Sequence, residues 1–158
     1  MSARQLLYVG LPALLLATLV RHGLTPHDLE LEITESSATD PGGPGRTSLQ
    51  ALLGAGVHLA VDDFGTGWSS FQSLRELRPH TLKIDRSLLR DLDTDSTSRA
   101  IVQAILAMAQ HLRITVTAEG IETARQLDLI ATFGCPQGQG FFLAAPTAAP
   151  QLDPLPPA

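Results

Sequence analysis

Two aspartates stand side by side in VDDFGTG, at the end of the run VHLAV, which reads as a strand buried on both faces. Adjacent carboxylates repel, and ionised groups are costly to bury. Asp62 and Asp63 therefore need something to hold them. A plain turn over Gly65 and Gly67 is one reading, since Asp and Gly are turn formers. A bound cation is the other. Comparable polar groups recur: Glu32 and Glu35 in LELEITES, Lys83 and Asp85 in HTLKID, Glu119 in ITVTAEG, and Gln139 in GQGFFLA. Glu32, Asp62, Asp63 and Glu119 make an oxygen donor set without histidine or cysteine, which suits Mg2+ or Mn2+. Neighbouring carboxylates can each serve one ion of a two-metal site, the ions about 3.5–4 Å apart, an arrangement suited to phosphodiester hydrolysis. Lys83, facing such a cluster, could orient or help activate an attacking water, or hold phosphate charge.

These residues act together only if the fold collects them. LELEITES (Leu29 to Ser36) alternates like a strand, and VHLAVDD, HTLKID, ITVTAEG and GQGFFLA read as further strands. The segments between them read as helices. LQALLGAG has a glycine stop, SSFQSLREL a serine start, and TARQLDLIATFG ends at Gly134. STSRAIVQAILAMAQHL places Ile101, Ile105, Met108 and Leu112 on one face. Successive strands recur at roughly 25 to 35 residues, the spacing of βα units, which implies a parallel sheet with helices outside. An open doubly wound sheet and part of a (β/α)8 barrel both satisfy that pattern. Every strand carries charge or amide near its C-terminal end. A barrel converges those ends on one mouth, whereas an open sheet spreads them along an edge. The fold class is therefore α/β, a partial (β/α)8 TIM-type barrel of about five βα units.

Composition agrees. The chain has 158 residues, enough for one ordinary domain, and 44% hydrophobic against 17% charged content predicts a packed core. A net charge of −5 argues against duplex nucleic acid as a partner and is compatible with a site that gathers cations. The lone Cys135 excludes an internal disulfide, fits a reducing compartment and reads as a packing residue. The five histidines share no metal-ligand spacing. QLLYVGLPALLLATLV, Gln5 to Val20, carries no charge and could pass for a signal-peptide core or a membrane span. It is shorter than the roughly 20 residues a span needs, and no cleavage pattern follows. A buried amphipathic helix with Leu11, Leu14, Leu15, Leu19 and Val20 on its apolar face, ended by Gly23, is the better reading. That places the chain in the cytoplasm. Residues 147–158 are proline-rich and expected to be disordered.

ELEITES, DDFGTG, LKIDRS, TAEGIET and QGFF occur together in register, and through them the chain resembles the EAL family of bacterial cyclic-di-GMP phosphodiesterases. The resemblance runs from about Ser2 to Pro146, so that residues 1–146 are expected to be the C-terminal two-thirds of an EAL domain. It implies a variant (β/α)8 barrel that hydrolyses cyclic di-GMP to linear pGpG with Mg2+ or Mn2+. It implies Glu32, Asp62, Asp63 and Glu119 as metal ligands, with Asp62 bridging two ions. Lys83 would contact the catalytic water, Glu119 would be a further ligand or base partner, and Gln139 would line the site. Glu35 would steady the loop after Asp63, which in the family links metal binding to dimer contacts, so a homodimer through that loop is implied. Asp85 and Glu122 would support the ligands.

The departures from the family pattern are specific. The Glu-Ala-Leu that names the family is absent, and SARQ, before which the family places an asparagine ligand, is Ser2 to Gln5. About three barrel strands and a substrate-holding arginine are expected upstream of that point. Trp68 and Pro136 stand where the family often has tyrosine and aspartate. A site short of two ligands loses positioning, easily on the order of a hundredfold in rate. The expectation is weak or absent turnover by this chain alone. A module that binds cyclic di-GMP or a partner protein without turnover, and a gene fragment with no stable fold, are the other readings.

Overall fold

Alternation decides the sheet. In β1 (Glu30–Thr34) Leu31 and Ile33 are buried, while Glu30 and Glu32 face outward. The same period of two recurs in β4 (Thr115–Glu119), whereas β2 (His58–Phe64) buries Leu59, Ala60 and Val61 in succession and β3 (Thr81–Ile84) is buried throughout; a short β5 (Gln137–Gln139) follows. The structure, a computed structural model, describes residues 3–34, 44–65 and 71–147. The five strands pair in parallel in chain order, β1-β2-β3-β4-β5. A doubly wound sheet reverses its order at a switch point. Sequential order without reversal is the winding of a barrel wall, so the structure decides for the barrel.

One face of this wall is apolar and covered by helices. Val61, Leu82, Ile84, Val116 and Ala118 pack there against Leu89, Leu92, Val102, Ile105 and Ala109, with Ile121 and Ile130 among the same cluster. The helical partners are α5 (Arg86–Arg90), α6 (Ser96–Leu112) and α7 (Ala124–Thr132). A second cluster joins Leu31, Ile33, Val57 and Leu59 to Leu6, Leu49 and Leu52. Its helices are α1 (Ala3–Leu6), α2 (Leu11–Arg21) and α3 (Pro44–Gly54); α4 (Phe71–Leu77) is tied to α3 by Arg46–Glu76 at 2.9 Å. Full burial of a Leu or Ile contributes about 1.5–3 kcal/mol, so Ile33, Leu52, Leu59, Leu82 and Ile84, all at 0% exposure, anchor the wall.

Several expectations need correction. The apolar stretch from Gln5 to Val20 is not one helix. Gly10 and Pro12 divide it into α1 and α2, because proline favours a helix's first turn and removes a donor inside one. Leu11, Leu15 and Leu16 pack inward, whereas Leu14 and Val20 are exposed at 57% and 77%. Gly23, at φ 71°, does end α2: Leu24 N–H donates to the Leu19 carbonyl and Gly23 N–H to that of Val20. Helix α6 has the predicted bounds but turns Val102, Ile105 and Ala109 inward, leaving Ile101 and Leu112 exposed. The last strand stops at Gln139, and Phe141 to Leu143 form a turn. Glu35, the loop after Gly65 and the tail beyond Thr147 lie outside the described residues. No described helix is long and apolar enough to cross a membrane.

Candidate functional site

The second face of the wall is polar. Glu32, Asp62, Lys83 and Glu119 project from the C-terminal halves of β1 to β4, on the face that Glu30, Thr81 and Thr117 continue. Lys83 Nζ lies 2.7 Å from Glu32 Oε1, 2.7 Å from Glu119 Oε1 and 3.5 Å from Asp62 Oδ1. Four strands thus meet at one ammonium. Lys83 is 8% exposed. Burial works to lower its pKa, but hydrogen bonds to Glu119 and Glu32 and the charges of Glu119 and Asp62 outweigh burial and hold it above the ordinary lysine range. The Glu119 carboxyl is also raised. Burial exceeds the relief that Lys83 provides, and Asp62 and Glu32 add repulsion. A protonated amine therefore sits beside a carboxylate of unusually high basicity.

The adjacent aspartates rest on an irregularity. The β2–β3 register shifts between Val61 and Phe64, and Asp63 has φ 55°. Aspartate enters this left-handed region more readily than most residues, and Asp62 Oδ1 accepts the Asp63 N–H at 3.1 Å. A regular strand would send consecutive side chains to opposite faces; a bulge re-aims one. Asp63 consequently feels Asp62, Asp85 and Lys83 together. Its pKa is raised by burial first, then by the two aspartates, against the pull of Lys83.

The remaining sequence candidates lie around the same mouth. A cavity of about 240 Å³ is lined by Asp85, Glu119, Glu122 and Gln139, with Arg86 and Phe141 among its walls. Asp85 caps α5, its carboxylate accepting the Ser87 N–H at 2.9 Å. Burial opposes its ionisation, yet bonds from Ser87 and Arg86 prevail and lower its pKa. Gln139 stands opposite Glu119 in the β4–β5 register, and its carbonyl accepts the Ile121 N–H at 3.0 Å. Sequence reasoning missed Arg86 and Gln126. The buried Gln126 amide joins the loop before α7 to Leu89. The pattern Thr123-x-x-Gln126 is a capping-box signature and could have marked the cap. Nothing in the sequence marks the bond to Leu89.

The donors are hard carboxylate oxygens, the set that Mg2+ or Mn2+ takes. They converge on the Lys83 ammonium, and among the described residues no three His, Cys, Asp or Glu side chains already surround one ion position. A divalent ion bound here would compete with Lys83 for the same oxygens.

Comparison with known proteins gives a single family. The EAL domain matches residues 1–146. The bifunctional diguanylate cyclase/cyclic di-GMP phosphodiesterase MucR of Pseudomonas aeruginosa is 41% identical over 152 residues, covering 96% of this chain and 22% of that protein. The signaling protein YkoW of Bacillus subtilis is 40% identical over 152 residues, 96% of this chain and 19% of its own. The chain thus spans about a fifth of these relatives. Among solved structures, the c-di-GMP complex of the PaMucR phosphodiesterase superposes with a TM-score of 0.88 at 40% identity, covering 96% of this chain and 61% of that one. The manganese/cy-diGMP complex of Klebsiella pneumoniae BlrP1 gives a TM-score of 0.79 at 34% identity, covering 85% of this chain and 34% of that one.

Proposed function

The chain belongs to the EAL-domain family, and from that premise we propose that residues 1–146 are the C-terminal two-thirds of an EAL domain that hydrolyses cyclic di-GMP to linear pGpG. One observation carries the reading: carboxylates from β1, β2 and β4 meet at Lys83, where the strands end. The relatives' phosphodiesterase name and the bound c-di-GMP and manganese of the neighbours support it. In this reading water oxygen bonds to phosphorus, the phosphorus–O3′ bond breaks, and the water's proton leaves while the 3′ oxygen gains one. Lys83, held protonated, does not take that proton; it orients the water and balances charge on the phosphoryl oxygens. Glu119, with its raised pKa, is the proton acceptor within reach. Glu32, Asp62, Asp63 and Glu119 would hold Mg2+ or Mn2+, which supplies electrophilic stabilisation of the phosphoryl group and a more acidic water. Asp85, Glu122 and Gln139 shape the cavity that receives the nucleotide. Glu35 and the loop after Asp63 belong to the same reading, as supports of a homodimer contact.

The chain spans 61% of the PaMucR phosphodiesterase chain, so the activity of the whole domain belongs to this proposal. Binding without turnover is the second reading. Lys83 lies 2.7 Å from both Glu32 and Glu119 and occupies oxygens that an ion would need, and that observation favours it. The test is calorimetry of c-di-GMP binding in Mn2+ and again after EDTA treatment, together with chromatography of the products. Mn2+-dependent binding that raises the melting temperature, with any pGpG formed, supports the enzyme. Binding without pGpG moves the chain to the second reading. No binding and no metal-dependent melting shift overturn both.

A further inference from the structure

The loop between β4 and α7 is held from three sides. Gly120 has φ +73°, and a methyl group there would collide with Arg86 Cβ on α5. A methyl group at Gly140 would collide with the backbone of Ile121. Ile121 N–H donates to the Gln139 carbonyl at 3.0 Å, and Phe142 N–H donates to the Ile121 carbonyl at 3.0 Å. The third hold is Gln126. The residue is 7% exposed, and its amide makes three bonds: Oε1 accepts Glu122 N–H at 2.8 Å and Thr123 N–H at 3.0 Å, while Nε2 donates to the Leu89 carbonyl at 3.0 Å. Of these, the capping box of α7 requires only the bond from Thr123 N–H. The third reaches across 37 residues of sequence to α5, whose N-cap Asp85 follows the strand of Lys83.

We propose that Gln126 is a positioning residue of the nucleotide site. Its bond to Leu89 fixes the loop that carries Gly120 to Glu122 against the segment that carries Lys83 and Asp85, and through Ile121 it aligns Gln139. The consequence for nucleotide binding rests on the functional reading above; the alignment itself does not. Gln126 touches no nucleotide in this scheme. It sets the spacing of residues from β3, β4 and β5 around one cavity. Such spacing matters because a site misplaced by about 1 Å can lose on the order of a hundredfold in rate.

The experiment compares wild type with Q126M, Q126L and T123A. T123A removes the side-chain cap of α7, which accepts Gln126 N–H at 3.2 Å, but keeps the Gln126–Leu89 bond. Native-state amide exchange is read at Ile121 and Phe142, and c-di-GMP affinity is read in Mn2+. Q126M is the variant of record if Q126L does not fold, being unbranched and close in length. Q126M removes all three bonds of the amide, so the expected result is exchange at both amides faster, and affinity weaker, by at least about tenfold, the size of a single buried hydrogen bond. T123A should lower the melting temperature while leaving both local readouts at the wild-type value. Unchanged exchange at Ile121 and Phe142 in folded Q126M, or equal changes in T123A, overturns the positioning role. Should wild type bind no c-di-GMP, the functional reading fails on its own, and the exchange result still decides the alignment.

Discussion

The two ends of the same strands have opposite electrostatic character. At the C-terminal end, four carboxylates and one ammonium share a small volume, with Asp63 and Glu119 raised in pKa by burial and by their neighbours. At the N-terminal end, the partners are imidazole rings and single hydrogen bonds. His58 stacks on His80 at 4.2 Å and meets His27 edge-on at 5.8 Å. Thr81 donates to Glu30 at 2.6 Å, and His80 Nδ1 accepts the Leu59 N–H at 3.2 Å. One end stores repulsion and the other relieves it. A barrel wall that ran on stability alone would have no use for the first arrangement, which is where barrel enzymes keep their chemistry.

The sharpest way to break this contrast is to remove the ammonium. K83M leaves Glu32, Asp62 and Glu119 facing one another with no cation. Breaking a buried ion network by deleting one partner costs about 3–5 kcal/mol. Because Lys83 has a raised pKa, its contribution is complete below the ordinary lysine value and declines only as pH rises through the higher folded value. The loss should therefore be full at pH 7. It should shrink near pH 4, where the carboxylates take up protons. Urea denaturation at both pH values checks this, and equal midpoints for K83M and wild type at pH 7 would remove Lys83 from the centre of the site.

A smaller effect of opposite sign is expected at Asp63. A carboxylate whose folded pKa is raised gives most stability when protonated, and that stability is lost as pH rises from the ordinary aspartate value through the folded one. At pH 7 the full cost is present. D63N removes the charge, and asparagine accepts the left-handed backbone at φ 55° as well as aspartate does. Solvent screening keeps the expected gain small, at most about 0.5 kcal/mol at pH 7 and vanishing near pH 3, together with weaker Mn2+ binding. A D63N protein that is less stable than wild type at pH 7 would mean that Asp63 is held by favourable partners and that repulsion is not stored there.

The same contrast separates what was legible in the sequence from what was not. The acidic cluster could be read because strand ends in a βα chain converge, so Glu32, Asp62, Lys83 and Glu119 needed only their spacing. The bulge at Asp62–Asp63 could not, since a register shift depends on the partner strand. Helix α6 was legible in its bounds from Asp95, whose side chain caps Thr97 and Ser98, to the left-handed Arg113. Its inward face was legible in part: of the expected stripe, Ile105 is buried and Met108 packs against the core, whereas Ile101 and Leu112 are exposed and Val102 and the small Ala109 face the sheet instead. Thr81, Lys83 and Thr117, together with the carboxylates, make the second face of the wall polar. The histidine contacts were invisible for a related reason: His27, His58 and His80 meet only after parallel pairing brings three strand starts together.

That end supplies the smallest test. His80 lies at the surface, with its Nδ1 occupied as an acceptor. Burial of the ring, and then the neighbouring His58, lower its pKa, while Glu30 opposes them. A histidine with a depressed pKa favours the fold when neutral, so its contribution is present above the ordinary value of 6.5 and is lost as pH falls through the folded one. Solvent exposure keeps the size small: about 0.5 kcal/mol, or ~2 °C in melting temperature, between pH 7.5 and 5.5. H80N keeps an acceptor for the Leu59 N–H but has no proton to gain, so its melting temperature should fall less over that interval. Binding of c-di-GMP should be the same in H80N and wild type. If H80N instead changed nucleotide affinity, the two ends of the strands would be coupled, and the separation between a chemical end and a structural end would fail at its least charged residue.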